Sequence, residues 1–163
     1  MSSALNAETL AAVTCDLVRE AYFGADASAT WFVNHEPDSG ILGTVEPLNA
    51  EQASQPGPAN GPSVAAHLEH LRWSLATVNE TLRGKPWNPD WSASWSVQSV
   101  TDKQWSQLKQ DLRREVERLL EALTPETFTY LDRMALTGIL ALAPHAAHHL
   151  GTLRQSVRLI QRS

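Results

Sequence analysis

Four stretches of this chain place apolar residues three or four positions apart, and no stretch reads as a strand. That pattern confines the chain to an all-α architecture. In the first stretch Leu10, Val13, Leu17 and Ala21 mark one face, Asn6 stands where a cap belongs, and Gly24 follows the end, giving a helix over 6–23. The second opens at Gly61-Pro62-Ser63, carries Val64, Leu68, Leu71, Leu75, Val78 and Leu82, and stops at Gly84, predicting a helix over 63–83. The third begins with the capping-box spacing Thr101 to Gln104 and continues through Trp105, Leu108, Leu112, Val116, Leu119 and Leu123, predicting a helix over 102–123. Its opposite side bears Lys109, Arg113, Arg114, Glu117 and Glu121, the pattern of a solvated face. The fourth runs over 132–161 with Pro144 inside, where a missing backbone donor predicts a kink. Four amphipathic helices of this length point to a four-helix bundle.

A chain of 163 residues with no repeat and no dividing linker reads as one domain over 1–163, large enough for its own core. No apolar run reaches the ~20 residues a spanning helix needs. The first residues lack a basic start and include Glu8 and Asp16, so they do not read as a signal peptide, and a cytoplasmic location is expected. The formal net charge of −5 argues against a diffuse nucleic-acid-binding surface. Cys15, the single cysteine, sits in an apolar helical pattern and reads as a buried, inert thiol.

Two connections are long, 24–62 and 85–100. Four of the six tryptophans lie in them: Trp31, Trp87, Trp91 and Trp95. Connections beyond ~12–15 residues are uncommon in compact domains unless they bind or cover something. These tryptophans can cap the open ends of the bundle, touch a ligand, or do both.

The chemistry concentrates in Ala143-Pro144-His145-Ala146-Ala147-His148-His149-Leu150-Gly151. His145 and His149 are one turn apart and about 40° apart around a helix, so both can reach one ion. Leu142, Leu153, Ser156 and Ile160 share their sector, which therefore faces the interior. His148 lies about 100° from His149, on the flank. The second helix carries His67 and His70, and bundle metal sites are built from inward side chains on facing helices. Two histidines on one helix and one on another make a neutral nitrogen set suited to Zn²⁺ or another borderline divalent ion such as Ni²⁺. Helical angle places His67 nearer the middle of its apolar stripe than His70. His35, beside Glu36 and Pro37 in the first connection, reads as a surface residue.

The pattern Ser63-Val64-Ala65-Ala66-x-x-x-His70-Leu71, followed by His145-x-x-x-His149-x-Gly151, resembles the DinB/YfiT-like superfamily. The resemblance covers essentially the whole chain, including the long first connection. It implies a bundle of up-down-down-up course, a divalent metal held by His70, His145 and His149, and a homodimer. Its register thus favours His70 as third ligand where periodicity favours His67, which would then be an outer partner or a pocket acid/base. Known relatives include thiol-dependent transferases and isomerases, while many members have no established activity.

Three histidines leave a tetrahedral ion one open position, for water or substrate. Glu69, His67 and His148 are candidate bases by proximity in sequence. No Ser-His-Asp set or phosphate-cradling loop offers other chemistry; Gly57, Gly61 and Gly84 read as turn and cap residues. Two functions are therefore carried forward. One is a metal-dependent transferase or hydrolase acting on a small, thiol-type substrate. The other is a non-catalytic metal-binding stress or interaction protein. Either way ligation needs neutral imidazoles, so affinity should fall below the pH of about 6.5 at which free histidine titrates.

Overall fold

The computed structural model describes residues 6–26 and 29–162. Seven α-helices form among them: α1 (Ala7–Phe23), α2 (Ile41–Val45), α3 (Ala50–Ala53), α4 (Val64–Leu82), α5 (Asp102–Ala122), α6 (Pro125–Tyr130) and α7 (Arg133–Ile160). The four long ones, α1, α4, α5 and α7, are the helices the apolar periodicities predict, each within a residue or two of its expected bounds. No strand forms among the described residues; a single antiparallel bridge joins Gly57 and Gly61.

Local side chains start each long helix. Asn6 accepts from the Thr9 N–H at 2.8 Å, Ser63 from Ala66 at 3.1 Å, and Asp132 from Ala135 at 2.8 Å. Thr101 and Gln104 form the expected reciprocal box. Gly24 terminates α1 at φ 102°, and a Cβ there would also crowd the Ser39 backbone N at 2.9 Å.

The core lies between the long helices. Val18, Leu68, Leu71, Leu75, Leu112, Val116, Leu119 and Leu153 are buried in it. α4 packs against both α5 and α7, while α1 packs against α5, α6 and α7. The position of α4 between two neighbours buries a wide sector of its surface. His67 and His70, three residues apart, are both buried for that reason.

The connection over 24–62 is folded rather than structureless. Glu20 of α1, itself buried, accepts the backbone N–H groups of Trp31, Phe32 and Val33 at 2.8, 2.8 and 2.9 Å. α2 then packs on α7 and α3 on α5, and a 3₁₀ turn spans Pro58–Asn60. Trp105 of α5 donates its indole N–H to the Leu48 carbonyl at 2.8 Å, which ties the connection to the core.

α7 is helical on both sides of Pro144. The Pro144 ring is exposed, on the outer side of the helix. Cys15 is half-buried, with its thiol toward the Leu120 and Leu123 carbonyls at 3.9 and 3.7 Å, and burial pushes its pKa up. Burial thus disfavours the thiolate, the reactive form.

Candidate metal centre

α4 and α7 bring three imidazoles together. Nε2 of His145 lies 3.1 Å from Nε2 of His70 and 3.1 Å from Nε2 of His149. One nitrogen from each ring falls within 4.8 Å of the other two, a set that could hold a metal ion. Ligation at ~2.0–2.1 Å with tetrahedral angles sets ligand nitrogens about 3.3 Å apart, close to the two separations of 3.1 Å at His145. His70 and His149 are buried, and His145 is half-buried. An ion at the shared point would have its accessible side near His145.

The rings are held from behind. His67 is buried and is not one of the three, but its Nδ1 lies 2.9 Å from Nδ1 of His149. Its place near the middle of the α4 stripe thus directs it to the back of a neighbouring imidazole. His70 Nδ1 lies 2.8 Å from the hydroxyl of Ser94, which donates to the Trp91 carbonyl at 2.7 Å. Trp95 stacks on the His70 ring, with centroids 4.1 Å apart and planes 16° from parallel.

Burial, and then neighbouring imidazoles, hold the cluster neutral. His149 is pushed down to about 3 and His70 to about 4. His67 and His145 are lowered as well, by burial first and by His148 second. Each shift favours the neutral imidazole that ligation requires. The expectation from free histidine, a loss of affinity starting near 6.5, moves to lower pH.

The other histidines stay outside the cluster. His148 is exposed, with its ring centroid 5.3 Å from that of His149 but turned to the flank. His35 is exposed on the first connection. Among the candidate bases, Glu69 gives both carboxylate oxygens to Arg72 at 2.6 and 2.7 Å, so it is committed to an ion pair.

The loop tryptophans divide. Trp95 covers the site directly. Trp91 lies beside His70, centroids 6.2 Å apart, and packs on Trp73 and Trp87 at 5.3 and 6.3 Å. Trp87 and Trp91 are about half-exposed, whereas Trp31 is 74% exposed and away from any such stack. Sequence reasoning does not single out Ser94. It is one of four serines between Trp91 and Val100, and only the 3₁₀ turn Ala93–Trp95 selects it.

No curated protein and no solved structure matches the chain. The sequence model of the DinB superfamily matches residues 39–153. That span includes the helix carrying His70, the turn carrying Ser94 and the pair His145 and His149. The match and the helical bundle agree, and the chain belongs to the DinB superfamily.

Proposed function

We propose that the protein binds one divalent cation, Zn²⁺ or Ni²⁺, through His70, His145 and His149, and uses it as a transferase or hydrolase on a small thiol-type substrate. The convergence of three neutral Nε2 atoms from two helices carries this reading. Borderline divalent ions match an all-imidazole donor set. A cation held by three protein ligands supplies an open position that can activate water, polarise a carbonyl or take a thiolate. The partial exposure of His145 supports access to that position, and Trp91, about half-exposed beside His70, offers an apolar surface at the site.

The test is elemental analysis of protein purified without an affinity tag, followed by calorimetric titration of the metal-free chain with Zn²⁺ and Ni²⁺. One equivalent per chain is expected. Substitution with Co²⁺ then reports the open position, because thiol addition should change the visible spectrum of a site with a free place. A bound ion whose spectrum ignores thiols and other small ligands would instead support a non-catalytic role, in which the ion ties α4 to α7. No binding of any divalent ion would end the proposal.

A further inference from the structure

The tryptophan-rich connection over 85–100 reaches the metal centre through one hydroxyl. Ser94 is fully buried. Its single proton goes to the Trp91 carbonyl, which can only accept. The Ser94 oxygen is therefore the acceptor for His70 Nδ1, which must carry the proton. A neutral imidazole protonated at Nδ1 has its lone pair at Nε2, the atom that faces His145. The adjacent residue, Trp95, stacks on the same ring and sets its plane. Two consecutive residues of one turn thus fix both the orientation and the tautomer of His70. The far end of the connection is anchored as well: Ser63, the cap of α4, donates to the Gln98 carbonyl at 2.6 Å. The helix bearing His70 and the turn bearing Ser94 are held in register from both sides.

We propose that Ser94 is a positioning residue of the metal centre, which holds His70 in the Nδ1–H tautomer with Nε2 free for the ion. The inference rests on the metal reading above. Hydrogen-bond partners behind a ligating histidine commonly change metal affinity by ~10–100-fold when removed, because the ring is then free to turn and to protonate the wrong nitrogen.

The experiment uses the full chain with ¹⁵N-labelled histidine. Two-bond ¹H–¹⁵N correlation of the zinc-free protein should show the His70 proton on Nδ1, and S94A should show a mixture of tautomers. Zinc titration should be weakened ~10–100-fold in S94A. S92A, which removes a nearby exposed hydroxyl bonded to Asp90, should bind as the unaltered chain does. A His70 proton on Nε2 in the unaltered chain overturns the inference even if zinc binds, and this measurement decides alone if S94A does not fold. Equal zinc affinity in folded S94A, or equal loss in S92A, also overturns it. A chain that shows the Nδ1–H signal yet binds no zinc overturns the metal reading instead, so the two failures are distinguishable.

Discussion

At the scale of single residues, five groups near one another have separate tasks set by angle. His145 and His149 share a sector of α7, and His148 is turned out of it. H149A should therefore lose most zinc affinity, while H148A should remain within a few-fold of the unaltered chain; calorimetry of the two proteins decides, and equal losses would refute the assignment. The pair was legible because a spacing of four is readable on any helix. The choice between His67 and His70 was not legible from periodicity alone. Both are buried, and only the packing of α7 and of the Ser94 turn against α4 gives one an inward Nε2 and the other a place behind His149. The lowered pKa values also set the pH behaviour. His70 and His149 titrate near 4 and 3 when folded but near 6.5 when unfolded. Between those limits the unfolded chain binds more protons, so the stability of the metal-free protein should be fully present above about pH 6.5 and fall as the pH drops toward 4. Urea midpoints at pH 7.5 and 5.0 test the sign. Three exposed imidazoles would lose roughly 1,000-fold in affinity by pH 5.5 through protonation, whereas this neutral cluster should lose less than about 10-fold between pH 7.5 and 5.5. Titrations at the two values separate the cases.

At the scale of elements, the long helices were readable because each carries its own start signal: Asn6, Ser63, the Thr101–Gln104 box, and Asp132. Two short helices had comparable signals within the reach of the same rules. α3 has a capping box of Asn49 and Gln52, and α6 begins Thr124-Pro125. α2 had none, since Gly40 gives no side-chain cap and the helix rests on α7. The nest on Glu20 was likewise unreadable: a carboxylate in an amphipathic helix looks solvated until a segment eleven residues later folds back onto it. Its removal gives a sharp prediction. E20A leaves three backbone donors without their acceptor and should cost about 2–3 kcal/mol, allowing for partial rehydration of the exposed Trp31 backbone. The urea midpoint should fall accordingly, and limited proteolysis should open the chain near Trp31–Val33. An unchanged midpoint would show that the nest is dispensable. The helicity of α7 on both sides of Pro144 has a simple physical source. The ring is on the exposed side, where the Leu140 carbonyl that loses its donor can be hydrated.

At the scale of the whole molecule, the lengths of the helices do not match. α7 has 28 residues against 17 in α1 and 19 in α4, which is about 42 Å against roughly 26 and 28 Å. Its first turns lack the cover that the rest of the helix receives. Met134 is 81% exposed and Leu140 43%, and Tyr130 of α6 is 86% exposed beside them in sequence. Ala135, Gly138 and Ala141 in the same stretch are exposed and small. Of these, Met134, Gly138 and Ala141 fall within about 60° of one another around α7, an exposed face suited to close approach by an identical helix. We therefore propose that a second copy of the chain covers it, making a homodimer about a two-fold axis. Sedimentation velocity at micromolar concentration should show a species of twice 17.9 kDa. The double substitution M134E/G138E places four carboxylates, two from each copy, in the same buried interface and should return the chain to a monomer while leaving its helical content and zinc affinity intact, because His145 and its partners lie farther along α7. A single species near 17.9 kDa in the unaltered chain would refute the dimer. A dimer that survives the double substitution would move the interface to another face.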